Sequence, residues 1–181
     1  MCPNWCDCEL RVEGPPADLR RFRLRGMGVD PALGDAGEIL STIANDEERE
    51  VLSAQAFVPI PEELTATQSP VPDTVSKAER ERLVRLYGTD NWYDWSVSNW
   101  GTKWDLSDPR IVAWRKHLRY TFRTAWSPPL PAVKRMAAQF PLLTLTLRWW
   151  EGGMGFRGTL TVRGDAVLEQ REDKYRGSRG G

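Results

Sequence analysis

The chain has 181 residues, 40% apolar and 28% charged, and its 25 basic and 25 acidic side chains cancel to a formal net charge of zero. That length buries a full core without disulfides or metals, and the neutral balance removes any overall electrostatic pull toward nucleic acid or an anionic membrane. No apolar run approaches the roughly 18–20 residues that a membrane-spanning helix needs. Cys2, Cys6 and Cys8 are the only cysteines, an odd group at one end that makes no disulfide framework. The first residues lack the charged-then-apolar pattern of a leader, so a reducing cytoplasm is the expected compartment. Two biases remain: nine tryptophans, and an arginine-to-lysine ratio of 20 to 5.

In chain order, residues 4–14 read as a strand. Cys6, Cys8, Leu10 and Val12 alternate with Asp7, Glu9 and Arg11, the period of a half-buried strand. Gly14-Pro15-Pro16 stops it. A short helix over 17–25 follows, with Leu19 and Phe22 on one face. Residues 26–75 are weakly patterned, and Phe57-Val58-Pro59-Ile60-Pro61 is expected to be extended because each proline restricts its predecessor. Ser76 and Glu79 form a capping box for a helix over 77–87, which Gly88 ends. Asp90 is expected to cap a second helix carrying Trp92, Trp95 and Trp100. Residues 111–114 and 118–125 read as a hairpin around Arg115-Lys116-His117. Pro131 opens a helix whose Val133, Met136, Ala137 and Phe140 recur at amphipathic spacing. Residues 142–150 read as a strand, and 156–163 with 166–171 as a further hairpin.

This order is β-α-β-β-α-β, the split β-α-β plan of the ferredoxin-like fold. The expectation is an α+β domain with an antiparallel sheet, helices on one face, a large helical or irregular insertion and an extra C-terminal hairpin. Residues 1–173 form the domain (core 3–25 and 109–173, insertion 26–108), and 174–181 a disordered tail. The name describes topology alone, since no set of four cluster ligands is present.

The densest chemistry lies in residues 91–104, which hold four tryptophans, Tyr93, Asp94, two asparagines and Lys103. Trp92, Trp95 and Asn99 share a helical face. Indoles with a few fixed polar groups suit a flat ligand or a peptide; the same indoles equally suit gluing the insertion to the sheet. Trp126, in a rigid Trp-Ser-Pro-Pro turn, either walls the same cleft or stiffens a connector. Trp149 and Trp150 are adjacent on a strand, so they face opposite sides, and Glu151 beside them is the best-placed lone carboxylate. The candidate ligand-binding set is therefore Trp92, Trp95, Asn99, Trp100, Lys103, Trp104, Trp126 and Glu151. No catalytic set, metal site or cofactor is expected. Cys6 and Cys8 point to one strand face as packed thiols, and His117 lies in a distant turn.

Pro3-Asn4-Trp5-Cys6, Phe57-Val58-Pro59-Ile60-Pro61, Asn99-Trp100-Gly101-Thr102-Lys103-Trp104, Thr124-Ala125-Trp126-Ser127-Pro128-Pro129, and Glu151 with Gly155-Phe156 resemble the YubB-type family over about residues 3–160. The resemblance implies a ferredoxin-like domain encoded by phages, prophages or plasmids, and carries no catalytic residue set. It leads to the expectation of a non-catalytic accessory protein that binds a host protein or a small ligand through the Trp-rich cleft, countering host defence being one use. An enzyme acting on a nucleotide or sugar is the alternative; it would need Glu151, Asp94 and Lys103 to converge on one reacting atom. Single-stranded nucleic acid is a second alternative, faintly echoed by Gly155-Phe156-Arg157-Gly158, and the neutral charge balance counts against it.

Overall fold

A computed structural model describes residues 4–43, 51–175 and 177. Cys2, Pro3 and most of the expected tail lie outside the described residues. The core consists of strand β1 (Trp5–Glu13), helix α1 (Pro16–Gly26), strands β2 (Ser107–Ala113) and β3 (His117–Ala125), helix α7 (Leu130–Gln139) and strand β4 (Thr144–Glu151), followed by the hairpin β5 (Phe156–Arg163) and β6 (Ala166–Lys174). The insertion contributes α2 (Ala36–Ile43), α3 (Ala54–Phe57), α4 (Glu62–Thr65), α5 (Lys77–Tyr87) and α6 (Trp92–Trp100). All strand pairs are antiparallel, in the order β2-β3-β1-β4-β5-β6. The first four positions are the ferredoxin-like arrangement expected from element order, and the terminal hairpin extends the sheet past β4.

Strand parity sets the two faces. Cys6, Cys8, Leu10 and Val12 of β1 are buried, as are Leu118, Tyr120 and Phe122 of β3 and Leu145, Leu147 and Trp149 of β4. Against this face α1 lays Leu19 and Phe22, and α7 lays Ala132, Val133, Met136 and Ala137. Phe22 is the hinge of the packing, with ring centroids 5.0 Å from Phe57, 5.3 Å from Phe140 and 6.2 Å from Tyr120. Phe57 comes from the insertion, so the insertion completes the core rather than decorating it. The intervening residues of the strands are half-buried or exposed, which leaves the second face of the sheet open.

Several expected boundaries shift. Phe57 ends a short helix instead of belonging to the extended run; prolines 59 and 61 restrict only Val58 and Ile60, and Val58 (φ −136°, ψ 79°) is where the chain leaves the helix. The weakly patterned stretch 26–75 holds three short helices. Asn91, not Asp90, caps α6: its side chain accepts from Asp94 N–H at 2.9 Å, while Asp90 is taken by Arg80 of α5 at 2.7 Å. Hydrogen bonds from Asn91 and Arg80 overcome the opposing effect of burial and hold the Asp90 carboxyl below its usual range. The capping box of α5 forms as expected, with Glu79 N–H donating to Ser76 Oγ at 3.2 Å. Strand β6 runs on through Lys174, and Tyr175 is buried with its N–H on the Gly155 carbonyl at 2.6 Å, so the ordered chain passes the expected boundary at 173.

Cys6 and Cys8 pack in the core, and the Cys8 thiol lies 3.7 Å from Thr124 Oγ1. Burial pushes the Cys8 thiol well up from its ordinary value. His117 pairs with Glu13 at the far end of the ladder in which Cys8 pairs with Phe122, so register separates the histidine from both thiols. Because both thiols are buried away from reagent, and the thiolate is the reactive form that burial disfavours at Cys8, neither Cys6 nor Cys8 should react with an aromatic disulfide reagent at mildly alkaline pH in a Cys2→Ser background until the chain unfolds. Prompt labelling of the folded protein would contradict this packing.

Candidate functional site

The tryptophans of the insertion divide between core and surface. Trp95 and Trp100 are only 6% and 3% exposed and meet edge-to-face at 5.7 Å. The Trp100 indole N–H donates to the Val58 carbonyl at 2.8 Å. These two rings fasten the insertion to the body of the domain instead of forming ligand-facing walls. Trp92 is half-buried, stacked edge-on against Tyr93 at 5.9 Å, with its backbone N–H on Thr67 Oγ1 at 2.9 Å. The Asn99 amide is spent on both sides: Nδ2 donates to the Trp95 carbonyl at 2.9 Å and Oδ1 accepts from Arg135 at 2.6 Å.

Lys103 sits 4.6 Å from the Trp104 ring and 5.6 Å from the Tyr93 ring, so Tyr93, Lys103 and Trp104 form one surface cluster. Trp104 is 40% and Trp126 44% exposed. Thr102 Oγ1 donates to the Ala125 carbonyl at 3.0 Å, and Ser127 Oγ to the Gly101 carbonyl at 2.6 Å. These bonds tie the loop before Lys103 to the end of β3, where Trp126 adopts φ 72° with its N–H on the Asn4 carbonyl at 2.9 Å.

Glu151 is 3% exposed. Its carboxylate accepts the backbone N–H of Gly153 at 2.8 Å and that of Met154, so it braces the β4–β5 turn. Asp94 accepts from the Asn91 side chain at 2.8 Å. No hydrogen bond or ion pair joins Glu151, Asp94 and Lys103. Glu151→Ala should lower stability by about 1–3 kcal/mol, the cost of stranding buried N–H donors, with Glu151→Gln losing less because one acceptor oxygen stays. Urea denaturation checks this; unchanged stability in Glu151→Ala would free the carboxylate for another role.

The open face of the sheet is where uncommitted side chains collect. Its strand register places Asp7, Glu9, Arg11 and Glu13 of β1 beside Arg123, Thr121, Arg119 and His117 of β3. It places Trp150, Arg148 and Thr146 of β4 beside Arg157, Thr159 and Thr161 of β5. Arg110 of β2, Arg163 of β5 and Arg171 of β6 complete a set of eight arginines, with Glu169 and Asp173 adding carboxylates on β6. Four arginines are paired: Arg11 with Glu13 at 2.9 Å, Arg119 with Glu9 at 3.9 Å, Arg171 with Glu169 at 3.2 Å, and Arg123 with Asp108 from the β2 bulge. Arg110, Arg148, Arg157 and Arg163 have no ion pair among the described residues.

Three indoles lie among these arginines. The Arg123 guanidinium is 5.0 Å from the Trp5 ring and that of Arg119 is 5.8 Å from the Trp114 ring, which also stacks on His117 at 4.3 Å. Trp150 stands directly opposite Arg157 and two residues from Arg148. Trp150, Arg148, Arg157, Thr159, Arg171 and Glu9 line a groove of about 540 Å³. Sequence reasoning weighed Trp149, Trp150 and Glu151 after the 91–104 segment and named none of these arginines. The signal for this face was present in the alternation of each strand, which assigns Trp150 and the arginines to the face opposite Trp149 and Leu147.

Among the described residues, no helix is long and apolar enough to cross a membrane, and no group of three or more His, Cys, Asp or Glu side chains is placed to hold a metal ion. No curated protein matches the chain. A solved structure, protein Api92 from Yersinia pseudotuberculosis, aligns with 98% of this chain and 99% of its own at a TM-score of 0.52 and 10% sequence identity, a likeness of fold. Residues 99–178 match the family model described as the ferredoxin-like domain in Api92-like protein, and with the strand order above the chain is a ferredoxin-like α+β protein enlarged by an insertion and a terminal hairpin.

Proposed function

We propose that this chain is a non-catalytic binding protein whose working surface is the open face of its sheet, with Trp126 directly after β3 at one end of the sheet. The observation that carries the reading is the contrast in commitment between the two candidate regions. In the insertion Trp95, Trp100, Asn99 and Asp94, and at the end of β4 Glu151, have protein partners that use their polar groups or bury their rings. On the open face, Arg148 and Arg157 flank the half-buried indole of Trp150 beside a groove. An acid–base enzyme needs two titratable groups within hydrogen-bond reach of one reacting atom; Glu151, Asp94 and Lys103 instead serve three separate local contacts.

The resemblance to the YubB-type family adds that the protein is an accessory of a phage or plasmid, acting in the cytoplasm of a bacterial host on a host protein or a small ligand, with a defence component among the candidate targets. The test is native mass spectrometry of the protein recovered from bacterial lysate, run beside the Arg148→Ala/Trp150→Ala variant. A species bound to the wild type and lost from the variant supports the reading. The same species on both moves the surface elsewhere, and conversion of a retained small molecule on incubation overturns the non-catalytic part.

A further inference from the structure

We infer that the partner of the open sheet face is single-stranded nucleic acid. The inference rests on the open-face binding surface proposed above and takes a nucleic-acid strand as its ligand in place of a host protein or small molecule. The whole chain is neutral, but the face is not. Its eight arginines outnumber the carboxylates of Asp7, Glu9, Glu13, Glu169 and Asp173, and ion pairs to Glu9, Glu13, Glu169 and Asp108 take up four of those arginines. Arg148 and Arg157 line the groove without an ion pair of their own among the described residues, beside Arg171 and the carboxylates of Glu9, Glu169 and Asp173.

An anionic partner is therefore favoured, and the indoles say which kind. Trp150 faces Asp7 across the β1–β4 ladder, and Trp5 stands two residues from Asp7 on the same face. That diagonal places the two residues about 7–8 Å apart, within the span of neighbouring bases. Each indole has a guanidinium as neighbour: Arg123 at 5.0 Å from the Trp5 ring, and Arg157 across the ladder from Trp150. Rings that take bases, interleaved with cations that take phosphates, are the chemistry of single-strand binding. A duplex hides its base faces from such rings, and an acidic peptide leaves them without flat partners.

The experiment is fluorescence anisotropy of a labelled ten-nucleotide single strand, as DNA and as RNA, titrated with full-length protein stripped of bound nucleic acid in high salt. A duplex of equal length and a labelled oligoglutamate serve as competitors of different chemistry. The expected result is single-strand binding that weakens as salt rises. Arg148→Gln and Arg157→Gln should each lower the log–log salt slope by about 0.7, the value for one phosphate contact on a single strand. Trp150→Ala should weaken binding about tenfold or more, as loss of a stacked base does. Lys77→Gln on the exposed turn of α5 should bind as wild type. Arg157→Gln changes an exposed side chain, so it remains informative if Trp150→Ala folds poorly.

Absence of single-strand binding at about 10⁻⁴ M protein in low salt, the weak end of non-specific affinity, would overturn the inference. So would binding indifferent to both arginine variants, or equal affinity for the duplex. Oligoglutamate bound in place of the single strand, and lost in Trp150→Ala, would overturn the nucleic-acid assignment and leave the binding-surface reading standing.

Discussion

Trp100→Ala should remove about 3–5 kcal/mol of folding stability, the range for deleting a buried large aromatic side chain. Small domains hold about 5–15 kcal/mol in total, so the variant would sit near the edge of folding. Two contacts are lost together. The ring packs edge-on against Trp95 at 5.7 Å, and the indole N–H satisfies the Val58 carbonyl at 2.8 Å. Val58 leads out of α3, whose Phe57 completes the core around Phe22, so the loss loosens the joint between insertion and sheet. Trp100→Phe separates the two terms: it keeps most of the packing and strands the carbonyl, an expected loss of about 1–3 kcal/mol. Equilibrium urea denaturation of both variants checks the order. Equal losses would mean that the packing kept by phenylalanine contributes nothing, and an unchanged Trp100→Phe would mean that the hydrogen bond contributes nothing.

Gly158→Ala should be costly for the opposite reason. A Cβ on Gly158 would lie 2.1 Å from Trp149 Cζ2 and 2.5 Å from the Arg171 carbonyl oxygen. The first neighbour is a fully buried indole and the second is backbone of the β5–β6 ladder, so neither gives way freely. Overpacking of this kind costs about 1–3 kcal/mol and sometimes more, and this site belongs at the upper end. Shrinking the neighbour should relieve part of the strain, so Trp149→Leu combined with Gly158→Ala should be less destabilised than the sum of the single variants. Strict additivity in thermal or urea unfolding would show that the glycine and the indole do not compete for space. The Trp149 indole N–H has no acceptor among the described residues, so Trp149→Phe loses packing but no hydrogen bond, in contrast with Trp100→Phe.

The β-α-β-β-α-β core was legible because its strands alternate and its helices repeat at one period. The Cys6–Val12 alternation, the capping box at Ser76 and the opposite facing of Trp149 and Trp150 all follow from local rules. The division of segment 91–104 between core and surface was not legible for a physical reason. Trp92, Trp95 and Trp100 cover more than one face of a nine-residue helix, and periodicity cannot tell which side meets a core when the helix belongs to an insertion whose docking direction is set by distant contacts. The burial of Trp95 and Trp100 depends on Phe57, Val58 and α7, none of which is their sequence neighbour. Glu151 looked free because the donors that saturate it are the backbone N–H groups of Gly153 and Met154, which side-chain patterns do not display. The arginine face was hidden differently. Summing charge over the whole chain gives zero and erases the clustering that strand parity creates.

The most direct test of the account is a paired measurement on Trp150→Ala and Trp100→Ala: unfolding free energy together with anisotropy of a labelled single strand. The predicted result is a division of labour, with Trp150→Ala clearly less destabilised than Trp100→Ala but weak in binding, and Trp100→Ala strongly destabilised but, where folded, binding as wild type. The reverse pattern, with binding following Trp100 and indifferent to Trp150, would return the working surface to the insertion and contradict the assignment of the open sheet face.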